Sequence, residues 1–142
     1  MGRIIIQIEV EGKPAFALFD TGAVNTYVER KLLETVSLVP VPEAYRVALG
    51  GRVIEVREVC LIWGKIDNLG FDTEAIPIDK IGKIDGHTVT VIIGVLTMEK
   101  WEIRLNPKEG TLDLTGLRRR EFTEYLPPLP RWERARVRVE MK

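Results

Sequence analysis

The sequence predicts a single, mainly β domain with one short helix. Apolar or alternating runs of four to eight residues recur along its 142 positions, and turn-forming residues separate them. That length and a hydrophobic content of 45% suit one domain with a modest core. Residues 4–10 are apolar with two polar interruptions, Glu11-Gly12-Lys13-Pro14 reads as a turn, and 15–19 are apolar again: strand, turn, strand. Residues 25–33 read as a short bend and then one or two helical turns, stopped by Pro40 and Pro42. Residues 45–48 and 53–59 alternate about Leu49-Gly50-Gly51-Arg52, which predicts a hairpin with a glycine tip. Strands continue through 60–63 and 71–78, and Pro77 is expected at an edge or strand end. A loop over 79–86 leads to a strand at 89–93, the short helix follows Gly94, and 102–114 form a closing hairpin. Trp63, Trp101 and the apolar strands are expected in the core, Cys60 in the core or on a strand face, and His87 in a loop.

The chemistry concentrates at one place. The run Phe16-Ala17-Leu18-Phe19 delivers a single acid, Asp20, onto Thr21-Gly22. A strand ending in an aspartate is costly unless the carboxylate has a chemical role or partners to hold it. Gly22 lets the backbone turn tightly and bring N–H groups near the acid, and the Thr21 hydroxyl can hydrogen-bond to a neighbouring chain. Later, Val89-Thr90-Val91-Ile92-Ile93-Gly94 repeats the pattern of an apolar strand broken at glycine, but without an acid.

Scarcity removes rival mechanisms. The chain has one Ser (Ser37), one His (His87) and one Cys (Cys60), and none sits on a nucleophile-elbow or helix-entry motif. Ligands for a thiolate- or imidazole-rich zinc site are lacking, and Gly50-Gly51 is followed by strand residues rather than a phosphate-binding helix. Carboxylate chemistry remains, with neither metal nor organic cofactor expected.

The preceding hairpin, the motif Asp20-Thr21-Gly22-Ala23 and the late Ile92-Ile93-Gly94 strand together resemble the retropepsin-like (retroviral-type) aspartic proteases. The match runs in order from about residue 3 to 115. The resemblance implies a single-lobe acid-protease fold, a closed β-barrel with one short helix, functioning as a homodimer. It implies that the two apolar strands are halves of a duplicated lobe, packed side by side. It gives Asp20 the catalytic role, with Thr21 and Gly22 supporting it. Ala23, Val24, Asn25 and Ile93 are expected against substrate. So are Leu49, Gly50, Gly51 and Arg52, as a flap closing over bound peptide, with the glycines giving it mobility. Val24 and Asn25 depart from the retroviral pattern, in which acids there hold the substrate backbone; Asn25 still offers hydrogen bonds, whereas the Val24 side chain offers none.

Stoichiometry adds an independent constraint. Aspartic proteolysis needs one ionised and one protonated carboxylate in a shared site, and the chain has a single Asp-Thr-Gly. Two chains must therefore meet about a twofold axis. The expected activity is aspartic endopeptidase, with the chain itself and a peptide or protein substrate as partners. The alternative is a catalytically inactive dimer of the same fold that binds a peptide or partner protein.

The net charge of zero hides an asymmetry, because residues 117–142 carry eight Lys or Arg against four Glu. The expected division is therefore a protease domain over 1–116 and a basic, proline-containing extension over 117–142. A neutral chain is not a general nucleic-acid binder, and no stretch approaches a membrane span. The opening residues lead straight into a strand without a signal-peptide layout, and the lone Cys suits a reducing compartment, so a cytoplasmic location is expected. Within the extension, residues 136–141 alternate strictly, as a half-buried strand would.

Overall fold

The computed structural model describes residues 3–123. In chain order the strands are β1 (Arg3–Val10), β2 (Lys13–Asp20), β3 (Tyr27–Glu29), β4 (Val39–Leu49), β5 (Arg52–Ile66), β6 (Leu69–Ile78), β7 (Gly82–Ile84), β8 (His87–Ile93), β9 (Arg104–Asn106) and β10 (Thr111–Asp113). The helices are α1 (Val95–Trp101) and α2 (Thr115–Thr123). The alternating 136–141 stretch lies outside the described residues.

Two-residue turns with both φ angles positive join four pairs of neighbouring strands: Glu11-Gly12, Gly50-Gly51, Asp67-Asn68 and Asp85-Gly86. This turn matches the right-handed twist of paired strands, and Gly, Asn and Asp tolerate its backbone best. It fixes the registers that follow, such as Val10 opposite Lys13 and Leu49 opposite Arg52. The first turn is therefore tighter than the four-residue connection the sequence suggests.

Six strands close on themselves. They pair in the order β1, β2, β8, β3, β6, β5, and β5 returns to β1 with Glu9 opposite Lys65 and Val10 opposite Gly64. The length of β5 makes this possible: its second half pairs with β6, while its first half leaves the barrel and pairs with β4 as a projecting hairpin. The two apolar strands of the duplicated halves do lie side by side, β2 parallel to β8, with Leu18 opposite Ile92 and Phe19 opposite Ile93.

That pairing explains the unbroken apolar character of both strands, which are buried on both faces. Phe19 and Ile93 enter the barrel interior with Ile62, Phe71, Met98 and Trp101. Leu18 and Ile92 face a second cluster with Tyr27, Val56, Ile76 and Val89, beneath the projecting hairpin. Each fully buried large apolar side chain contributes about 1.5–3 kcal/mol, so the barrel cluster is the main source of stability.

Several elements differ from the sequence reading. Residues 27–29 form β3, pulled into the sheet between β6 and β8, and only a single 3-10 turn (Arg30–Leu32) follows. Pro40 and Pro42 do not stop a helix. They lie in β4 at the open edge of the sheet, where a missing N–H costs no ladder bond, and the register slips between Pro40 and Tyr45. The 79–86 loop contains β7, and His87 begins β8 with its ring 4.8 Å from that of Phe16. Trp63 is 60% exposed because it occupies an outward position of β5, next to the fully buried Ile62. Helix α2 spans the expected boundary at 116/117, and its Leu117 is wholly buried in the barrel cluster.

Candidate active site

Asp20 is the last residue of β2, and the chain folds back on it at once. The Gly22 N–H donates to Asp20 Oδ1 at 2.8 Å, and the Ala23 N–H donates to the Asp20 carbonyl at 3.1 Å. The carboxylate is thus oriented by the turn that follows it while remaining partly exposed.

The loop beyond the turn is tied to the start of α1. The Val95 N–H donates to the Ala23 carbonyl at 2.8 Å and the Leu96 N–H to the Val24 carbonyl at 3.1 Å. Close approach requires Gly94: a Cβ there would stand 2.2 Å from the Asn25 carbonyl oxygen. The glycine that ends the acid-free half therefore seats the loop of the acid-bearing half.

Three buried threonines complete this junction. The Gly94 N–H donates to Thr26 Oγ1 at 3.1 Å, Thr26 and Thr73 each lie 2.6 Å from Thr97 Oγ1, and the Thr73 hydroxyl donates to the Glu74 carbonyl at 3.2 Å. Each hydroxyl has one proton, so one direction satisfies every group: Gly94 to Thr26, Thr26 to Thr97, Thr97 to Thr73, Thr73 to the Glu74 carbonyl. A fully satisfied buried chain of this kind rigidifies the elements it joins, here the signature loop, α1 and β6.

The tip of the β4–β5 hairpin shares a cleft with Asp20. Leu49, Gly50 and Arg52 border this cleft of about 390 Å³, as do Asp20 and Gly22. Leu18, Ile92, Ile81 and Ile84 give it an aliphatic lining, and Arg3 also borders it. The segment that presents Ile81 is held by three charged side chains. Arg30 Nε donates to Asp79 Oδ1 at 3.2 Å, Arg52 Nη2 to the Lys80 carbonyl at 3.0 Å, and the Ile81 N–H to Glu29 Oε2 at 2.8 Å. Glu29 is buried, with its other oxygen 3.5 Å from Lys31 Nζ. The Glu58 carboxylate, hydrogen-bonded to Arg30, raises that guanidinium further above its ordinary pKa.

The expected site residues therefore divide. Asp20, Gly22, Leu49, Gly50 and Arg52 meet in one cleft. Gly51 sits at the hairpin tip with φ +80° but does not border the cleft. Ala23 is buried, and Val24 is 60% exposed. Asn25 faces a separate depression shared with Thr97 and Leu96, and Thr21 borders a third hollow with Val95, Met98 and Ile103. Ile93, expected against substrate, is fully buried in the barrel; its neighbour Ile92 is the residue on the cleft side. Arg3, Leu18, Ile81, Ile84 and the three threonines escaped the sequence reading. Arg3 was within reach of it, since counting back through the Glu11-Gly12 turn puts Arg3 opposite Asp20.

The comparisons with known proteins bear on the family and the fold. The family model described as aspartyl protease matches residues 6–97, from β1 into α1. The crystal structure of the retroviral protease-like domain of Ddi1 from Leishmania major is similar, with a TM-score of 0.51 and 16% identity over 81% of this chain and 90% of that one. The solution structure of simian foamy virus (mac) protease gives a TM-score of 0.46 and 16% identity over 67% of this chain and 91% of that one. No curated protein gives a significant match. The family match spans both apolar strands, the projecting hairpin between them and the Asp20 turn, and on that ground the chain belongs to the aspartyl protease family, with a fold similar to that of a retroviral protease-like domain.

Proposed function

We propose that the protein is a homodimeric aspartic endopeptidase whose active site is built from two copies of Asp20. The observation that carries this reading is a single Asp-Thr-Gly turn whose acid stands, partly exposed, at the lip of a cleft bordered by the β4–β5 hairpin. In the dimer one Asp20 is ionised and its partner protonated, because like charges at close range do not both ionise. The ionised carboxylate takes a proton from water as the water oxygen bonds to the scissile carbonyl carbon. The protonated carboxyl gives its proton to the carbonyl oxygen. The tetrahedral intermediate then collapses with proton transfer to the amide nitrogen, which leaves as the C–N bond breaks.

The surface next to Asp20 supports association. Val24 and Leu96, joined by a backbone hydrogen bond, are 60% and 57% exposed, and Thr21 is exposed beside them. Exposed apolar side chains on the loop that follows Asp20 and on the helix tied to it are the kind of surface a second protomer covers.

The test is a digest of casein or mixed peptides at several pH values, wild type beside Asp20→Asn. The amide is nearly isosteric and cannot act as acid or base, so the variant is expected to keep its fold and lose cleavage entirely. Equal cleavage by both would move the chemistry away from Asp20; cleavage by neither, with peptide still bound, would favour a binding protein on the same fold.

A further inference from the structure

The cleft beside Asp20 holds two cations that the water-attack chemistry does not use. Arg3 opens β1 directly opposite Asp20 in the β1–β2 register, and Arg52 begins β5 at the base of the hairpin tip. Both border the cleft, where Asp20 is the one acid among the described residues. Among the described residues neither arginine is in an ion pair, whereas Arg30, outside the cleft, is held by both Glu58 and Asp79. Arg52 does give Nη2 to the Lys80 carbonyl. That neutral acceptor fixes the guanidinium without cancelling its charge, and further N–H groups of the same fork stay available.

The rest of the lining is aliphatic: Leu18, Leu49, Ile81, Ile84 and Ile92. Both arginines are exposed to an incoming peptide, and a guanidinium meets a carboxylate through paired, charge-assisted hydrogen bonds. Two arginines facing a single acid leave the cleft with a positive excess. When two Asp20 carboxyls share a proton across the dimer, the excess is larger.

We infer that Arg3 and Arg52 form a carboxylate-recognising subsite, so that the protein selects peptides carrying Glu or Asp close to the scissile bond. This deepens the endopeptidase reading and rests on it for the word "scissile", but the charge preference is measurable without cleavage. A neutral Gln of the same shape is expected to be disfavoured by about tenfold, the usual scale for a hydrogen bond to a charged group.

The experiment uses C-terminally amidated peptides that differ only in Glu or Gln at one position, scanned across the cleavage site where the mixed digest gives one and otherwise along a peptide that the Asp20→Asn protein retains from the same mixture. Amidation removes the chain-end carboxylate, so a remaining difference belongs to the side chain. Wild type is expected to show a Glu/Gln ratio in kcat/KM of about ten at one or two positions. Arg3→Gln and Arg52→Gln should each bring the ratio down, the double variant should bring it to unity, and Arg52→Lys should retain part of it. The same peptides, fluorescently labelled, are titrated into the Asp20→Asn protein, where anisotropy should show the same bias in binding.

Cleavage without a Glu bias at any position overturns the subsite and leaves the endopeptidase reading intact. A Glu bias in binding without cleavage by wild type does the reverse. If the arginine variants slow Glu and Gln peptides equally, the arginines act on Asp20 rather than on substrate, and the inference falls. Absence of both cleavage and binding overturns both.

Discussion

Thr97 shows how much of the site rests on a single hydroxyl. It receives the Thr26 proton and passes its own to Thr73, so α1 is joined to the signature loop on one side and to β6 on the other. Thr97→Val keeps the shape but strands a buried donor on Thr26 and a buried acceptor on Thr73. A loss of about 1–3 kcal/mol is expected, together with slower peptide turnover, and Thr97→Ser should restore both. Thermal unfolding beside a turnover assay checks this, and a Val variant as stable and active as wild type would show that the hydroxyl chain positions nothing. Cys60 offers a second residue-scale prediction. Its thiol is pushed up from 9.0 to about 11 by burial, reinforced by the nearby Glu11 and Glu58 carboxylates. The fold therefore favours the neutral thiol, and this contribution is complete below pH 9 and lost as pH rises towards 11. Wild-type stability should fall more steeply across that window than that of Cys60→Ala, and parallel melting curves for the two would contradict the assignment. Residue roles were also the hardest matter to read from sequence. Ile92 and Ile93 are consecutive residues of a strand buried on both faces, so alternation gives no phase, and only the register with β2 tells cleft from core.

At the scale of elements, local turn chemistry was the legible part. Glu11-Gly12 and Gly50-Gly51 announce hairpins because few residues accept positive φ twice in succession. Elements set by tertiary pairing were not legible: β3 exists because β6 and β8 flank it, and the prolines of β4 are tolerated because that strand is an edge. Helix α2 combines Gly116 and three consecutive arginines with the buried Leu117, too few apolar positions to show a helical period. The hairpin tip also acquires a more specific role than mobility. Gly50 has φ +55° and Gly51 φ +80°, so the glycines are needed first for the shape of the turn. Gly50→Asn, which suits the same turn, should keep both stability and turnover, whereas Gly51→Val should cost about 1–2 kcal/mol and reduce kcat/KM by displacing Leu49 and Arg52 from the cleft. Melting temperature and kcat/KM, measured on both variants, check this. Normal cleavage by Gly51→Val would mean that the hairpin tip is not the lid of the site.

For the whole molecule, the mainly β class and most of the strands were legible in the apolar runs and the turns between them, whereas the closed barrel and the side-by-side packing of its two halves came from the family resemblance. The composition of the cleft was not, because it gathers Arg3, Leu18, Leu49, Ile81 and Ile92 from five separate stretches. The number of chains per site is the central claim, and a mixing experiment tests it most directly. A fixed amount of wild type is co-refolded with increasing Asp20→Asn chain, and peptidase activity is followed. If both carboxylates must come from different chains, mixed dimers are inactive. Activity should then fall to about half at one equivalent and about a quarter at three, the statistical share of all-wild-type dimers in a twofold assembly. Activity that stays constant as the variant chain is added would show that one Asp20 suffices, and would contradict the account.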